Sequence, residues 1–203
     1  VALAQAVLAG QDPAAVPGIT TRHAVAAPQR TRLALPVPDR SRLPDLDVYA
    51  AYIDPARHGW GQGEAGQGEA GQGEAGQGKA HGVRAGYVEA TRGCLHTCRH
   101  CPVTPVYQGR FFAVPVDIVL ADIRQQVAAG AQHITFGDPD FLNGPGHART
   151  LAQRLHAEFP RLTWDFTAKV EHLVKHHDLL PELAANGATF AVSAFEATSD
   201  AVL

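Results

Sequence analysis

Beyond residue 83 the apolar positions switch repeatedly between a period of two and a period near 3.6. That switching predicts alternating strands and helices. Val83–Glu89 reads as a strand, and Pro115–Ala129 as an amphipathic helix with Val116, Val119, Leu120, Ile123 and Val127 on one face, closed by Gly130. Gln132–Phe136 reads as a short strand. Gly146–Phe159 reads as a second helix, with Leu151, Leu155 and Phe159 in register and Pro160 as its stop. Leu162–Thr167 alternates as a strand. Asp178–Asn186 is a third helix, carrying Pro181 in its first turn and closed by Gly187, and Thr189–Ser193 is a fourth strand. The order predicts an α/β fold of right-handed βαβ units around a parallel sheet. Chemistry in such sheets gathers in the loops after the strands' C-terminal ends. Here those loops are Cys94–Cys101, Gly137–Phe141, Lys169–His172 and Ala194–Glu196.

The first part of the chain lacks this pattern. Val1–Leu8 is Ala-rich and reads as a helix end, without the charged flank of a signal peptide. Across residues 1–47 prolines recur at 13, 17, 28, 36, 38 and 44, which predicts a Pro-rich linker with one short strand at Thr31–Leu35. Residues 48–82 read as a strand followed by a low-complexity insertion: GQGEA three times, then GQGKA. Two glycines in five residues, and nothing larger than alanine to bury, predict an expanded hairpin loop between strands at Val48–Trp60 and His81–Tyr87. Residues 83–203 form the expected core domain.

Composition narrows the function. The 203 residues hold 17 Lys+Arg against 20 Asp+Glu, a net charge of −3, so no basic stripe calls for nucleic acid. No apolar run is long enough to predict a membrane span. There is no methionine, even at position 1, which makes the chain read as processed or as a piece of a longer one.

All three cysteines lie in Cys94-Leu95-His96-Thr97-Cys98-Arg99-His100-Cys101, a C-x3-C-x2-C spacing. Three odd thiols in eight residues are not a disulfide framework. Soft thiolates select zinc or an iron–sulfur centre. An iron–sulfur cube normally takes four cysteines, so three would leave one iron open to an outside ligand. A Cys3His zinc site completed by His96 or His100, and a Cys98–Cys101 redox pair, are the competing readings. Clustered free thiols fit a reducing cytoplasmic setting.

The motif, together with the stretches 87–112, 119–148, 165–173 and 190–203 and the lead-in 35–50, resembles the radical S-adenosylmethionine (radical SAM) enzymes. Within them it is most similar to the CUAEP/CCAEP-tail proteins, whose tail is absent here. The resemblance implies a partial (βα) barrel, of which about four of six β/α units are present. It implies a [4Fe-4S] cluster on Cys94, Cys98 and Cys101, with SAM on the fourth iron. It also implies a small-molecule substrate and an electron donor such as a flavodoxin or ferredoxin. His100 stands where the family usually has an aromatic residue beside the SAM adenine. Gly137, with Asp138 or Asp140, stands at the segment that binds the SAM amino group, and Lys169, Ser193 and Glu196 stand at strand ends that contact its carboxylate or ribose. Either 5′-deoxyadenosyl radical chemistry or 3-amino-3-carboxypropyl transfer, suspected in relatives linked to organoarsenic amino-acid biosynthesis, is compatible with the resemblance. A zinc-stabilised module and an inactive truncated piece, which would expose apolar edges and be poorly soluble, are the non-catalytic alternatives.

Most of these positions also have plain structural readings. Asp138-Pro139-Asp140 suits a turn or cap, and Lys169 with Glu171 suits a solvated surface pair. Glu196 suits a helix start. His172, His176 and His177 are expected on a solvent-facing approach to a helix. His133 is expected to be a packed or edge residue. Asn143–Gly146 is expected to be a rigid turn that can also approach SAM closely.

Overall fold

The computed structural model describes residues 2–23, 35–48 and 83–194. Glu196, the GQGEA array and nearly all of the strands expected at Thr31–Leu35 and Val48–Trp60 lie outside the described residues; Val48 itself ends a 3-10 turn, Leu46–Val48.

The chain divides into two compact units. One comprises Val1–Ala34 and Gly93–Phe112. It contains helix α1 (Ala2–Leu8), a 3-10 turn Pro13–Ala15 capped by Asp12, and helix α2 (Val103–Tyr107). The other comprises Leu35–Arg92 and Ala113–Leu203 and carries the parallel sheet. The breaks between them fall inside two three-residue strands that pair with each other, β2 (Thr91–Gly93) and β3 (Phe111–Ala113).

In the larger unit the expected alternation is present. Strands β1 (Ala85–Val88), β4 (His133–Phe136), β5 (Thr163–Thr167) and β6 (Ala188–Val192) pair in the order β1-β4-β5-β6, all parallel. Val88 pairs with Phe136 and Phe136 with Phe166, so these strands end together along one edge. Between them run α3 (Val116–Ala128), α4 (Pro145–Glu158), α5 (Val170–Lys175) and α6 (Leu180–Ala185). The described strands form an open sheet, with β1 and β6 at its two edges.

Pleating explains the two faces. Ile134, Phe136, Trp164 and Phe166 project to one side and are buried with Val119, Leu120 and Ile123 of α3 and Leu151 and Leu155 of α4. Phe136, Phe141, Trp164 and Phe166 form the aromatic centre, with neighbouring ring centroids 4.9–5.7 Å apart. Trp164 is fully buried, and its Nε1 donates to the Asn186 carbonyl at 2.9 Å, so its polar atom is satisfied as burial requires. Alternate residues His133, Thr135, Thr163 and Asp165 project to the other side.

Edge strand β1 exposes backbone groups that α3 covers. Gln126 accepts from the Tyr87 amide at 2.8 Å and donates to its carbonyl at 3.1 Å, so a side-chain amide stands in for a neighbouring strand. Arg40 donates to the same carbonyl at 2.9 Å and forks onto buried Asp122 with two 2.7 Å bonds. Gln125 adds a bond to the Pro38 carbonyl. The stretch around Arg40, expected as linker, is thus tied to α3. Among the described residues no helix is long and apolar enough to cross a membrane.

Candidate functional site

The cysteine loop belongs to the smaller unit. Cys94, Cys98 and Cys101 form no disulfide, and each is partly exposed. Gly93 precedes the loop at φ +83°, a conformation open to glycine, and a Cβ there would strike the Arg110 carbonyl and stand 2.6 Å from the Tyr107 ring. After it, the His96 amide points at Cys94 Sγ from 3.5 Å. The Cys98 carbonyl accepts from the Cys101 amide at 3.2 Å and from Thr104 Oγ1 at 3.1 Å, closing the x2 spacing into a turn. His100 is exposed on that turn. Three thiols outside any disulfide on a short loop, one receiving an N–H, are a donor set that fits an iron–sulfur centre or zinc.

The strand-end residues belong to the larger unit, where Asp138 is 2% exposed. It accepts from the Ala90 amide at 3.0 Å and from the Thr91 hydroxyl. Burial pushes its carboxyl up to about 6 although those bonds oppose the shift. Ala90 is held from two more sides: its carbonyl accepts from the Val114 amide at 2.9 Å and faces His147 Nε2 at 3.2 Å. Burial lowers the pKa of His147 and so favours its neutral form. Asp138, His147 and β3's exit thereby hold Ala90 and Thr91 just beyond β1. Thr91 and His147 were not singled out in the sequence; a lone Thr and a helix-start His carry no periodic signal.

Asp140 is also buried but faces elsewhere. One carboxylate oxygen caps the 3-10 turn Phe141–Asn143 by accepting from the Leu142 amide at 3.1 Å. Asn143 returns a bond to the Asp140 carbonyl at 2.9 Å. The other oxygen lies 2.7 Å from Nδ1 of His172, the third residue of α5. His172 is 6% exposed, which corrects the expectation of a solvent-facing residue: α5 turns this ring inward onto Asp140, while His177 stays exposed and bonds the Val174 carbonyl. His176 is half-buried against the His172 ring, centroids 5.8 Å apart.

The remaining candidates are less concentrated. Tyr87 lies across Gly137, donating to its carbonyl at 3.3 Å. Lys169 contacts Glu171 at 3.0 Å with both side chains largely exposed. Ser193 Oγ donates to the Ala168 carbonyl at 2.7 Å and ties the end of β6 to the end of β5. Gly146 has open space where a side chain would stand.

On the sheet face away from the core, His133 is packed, as expected. Its Nδ1 meets Thr163 Oγ1 and its Nε2 meets Asp165, each at 2.8 Å, and Thr135 donates to the same carboxylate at 2.7 Å.

No protein-family model matches the sequence, and no curated protein matches it. Among solved structures, the chain is similar to the radical S-adenosylmethionine methyltransferase TsrM from Kitasatospora setae. With tryptophan substrate and the SAM analogue aza-SAM bound, that structure aligns at 20% identity and a TM-score of 0.46, over 58% of this chain and 23% of that one. With cobalamin and a [4Fe-4S] cluster bound, it aligns at 22% identity and a TM-score of 0.43, over 55% of this chain and 20% of that one. The chain thus spans less than a quarter of the length of those structures.

Proposed function

We propose that this chain is the core of a radical SAM enzyme: Cys94, Cys98 and Cys101 hold a [4Fe-4S] cluster, SAM occupies its fourth iron, and the substrate is a small molecule. The observation that carries the reading is the donor set itself, three disulfide-free thiols within eight residues directly after β2. When bound and reduced, such a cluster supplies the electron that cleaves a carbon–sulfur bond of SAM, and the electron comes from a donor of the flavodoxin or ferredoxin kind.

The chain's own residues divide the remaining work. The His96 amide supplies an N–H to a ligating sulfur, one of the ways a protein tunes such a centre. Asp138 holds Ala90 and Thr91 just beyond β1, its two oxygens accepting from the Ala90 amide and the Thr91 hydroxyl. Asp138 or Asp140, both buried at this strand end, is assigned to the SAM amino group. His100 is assigned beside the adenine, Gly137 to the backbone under the amino-acid end, and Lys169, Ser193 and Glu196 to its carboxylate or ribose.

The test is anaerobic reconstitution with iron and sulfide, reduction, and chromatography of the SAM products. The reading predicts 5′-deoxyadenosine from wild type and none from Cys94→Ala. Methylthioadenosine instead would assign 3-amino-3-carboxypropyl transfer. Stoichiometric zinc, no visible absorbance and intact SAM would replace the enzyme with a zinc-stabilised module.

A further inference from the structure

We infer that the cavity against the outer edge of β1 is a further ligand site, one that takes an apolar small molecule presenting a primary carboxamide or a lactam edge. The site uses neither the cysteines nor the acids of the loop after β4, so it is independent of the reading above. The cavity measures about 530 Å³, within the range of small-molecule pockets. Its walls are β1, the C-terminal half of α3 and residues 41–46. Leu43 and Tyr87, 51% and 52% exposed, both line it, together with Leu46 and Ala129. Two large apolar side chains left half in water around one cavity are surface that an apolar ligand would cover.

The backbone of β1 decides the ligand's chemistry. The Arg84 carbonyl accepts from the Gln132 and His133 amides, and the Val88 carbonyl accepts from the Gly137 amide. Arg84, Gly86 and Val88 therefore face β4, while Ala85 and Tyr87 aim N–H and C=O at the outer edge. The Tyr87 pair is met: Gln126 accepts from its amide and donates to its carbonyl. Gly86 permits this, because a Cβ there would strike Gln126 Oε1. Two residues earlier the Ala85 pair lines the cavity, and among the described residues no group meets it. A half-buried edge N–H and C=O call for a partner of matching shape. A carboxamide or lactam sets one acceptor beside one donor, which is how Gln126 reads Tyr87. An added peptide strand fits less well, since it would run on to Tyr87, where Gln126 and Arg40 occupy both groups. The roof is also preset. Arg40 forks onto Asp122 and its amide bonds Gln125 Oε1 at 3.3 Å, so the stretch that follows is anchored before a ligand arrives.

The test titrates the full chain with isoquinolin-1-one, a flat apolar lactam, and follows the Ala85 amide by nuclear magnetic resonance beside thermal melting. The lactam should bind in the low-millimolar range or tighter and shift the Ala85 amide signal. Its N-methyl analogue keeps the acceptor but has lost the donor, and should bind about tenfold more weakly, the range for a lost neutral hydrogen bond. Ala129→Phe narrows the cavity from an exposed position, and Leu43→Ala strips apolar surface from its wall. Each should weaken the lactam by about threefold or more with the melt unchanged. No binding, equal affinity for the two probes, or undiminished binding in either variant with its melt intact overturns the assignment. Should Ala129→Phe melt early, Leu43→Ala alone decides. The enzyme reading fails separately: a chain that takes up no cluster yet binds the lactam at Ala85 keeps this site and loses that reading.

Discussion

Asp138 couples the fold to pH in the sense opposite to a salt-bridged carboxylate. Burial raises its pKa from 3.8 to about 6, whereas in the unfolded chain the group returns to its ordinary value. Between about pH 4 and pH 6 the folded state therefore retains a proton that the unfolded state has released. The stability so gained is complete below the unfolded pKa and is lost as pH rises through the folded one. A shift of roughly two units corresponds to about 3 kcal/mol at 1.36 kcal/mol per unit. Asp138→Asn resembles the protonated acid: its carbonyl can accept from Ala90, its amide can donate to a rotated Thr91 hydroxyl, and it does not titrate. The perturbation is read by urea unfolding of both chains from pH 4 to pH 7, followed by the fluorescence of Trp164, which the core buries completely. Wild type should lose about 3 kcal/mol relative to the variant across that interval, falling from near parity to clearly less stable. Parallel pH profiles, or a wild type that gains on the variant as pH rises, would refute the reasoning.

Arg40→Ala strips buried Asp122 of its forked partner and should cost about 3 kcal/mol by urea midpoint, the low end for a broken buried pair because Arg40 is itself partly exposed. A loss under about 1 kcal/mol would mean that the Arg40 segment is not tied to α3 in solution. Gly137→Ala places a methyl into the Tyr87 ring and should cost about 1–3 kcal/mol, most of it restored when Tyr87→Ala is added. Lys169→Ala removes a solvent-facing ion pair and should shift stability by less than about 0.5 kcal/mol. If Lys169 serves SAM, the same variant weakens SAM binding without changing the melt.

The fold was legible wherever burial is periodic. The stripe Val119, Leu120, Ile123 and the alternation Trp164, Phe166 placed α3 and β5 within a residue or two of their observed ends. Helix α5 was not read, because Val170, Leu173 and Val174 are diluted by Glu171, His172 and Lys175, and what buries His172 is Asp140, thirty-two positions earlier in the chain. Strands β2 and β3 are three residues each, too short for a period of two to register. In the site, the thiols announce themselves by spacing alone. The different duties of Asp138 and Asp140 do not, since both occur in one turn-like Asp-Pro-Asp string and are separated only by what the fold brings against them: Ala90 and Thr91 for one, Leu142 and His172 for the other. The GQGEA array and Glu196 lie outside the described residues.

The central claim is that three cysteines hold a four-iron cluster with one iron left for SAM. Electron paramagnetic resonance of the anaerobically reconstituted, dithionite-reduced chain, recorded with and without SAM, addresses it most directly. The account predicts about four irons per chain, a reduced-cluster signal whose shape changes when SAM is added, and loss of that signal in Cys94→Ala, Cys98→Ala and Cys101→Ala alike, since three thiolates leave no spare ligand. A chain that retains zinc and no iron, or a cluster signal indifferent to SAM, would contradict it.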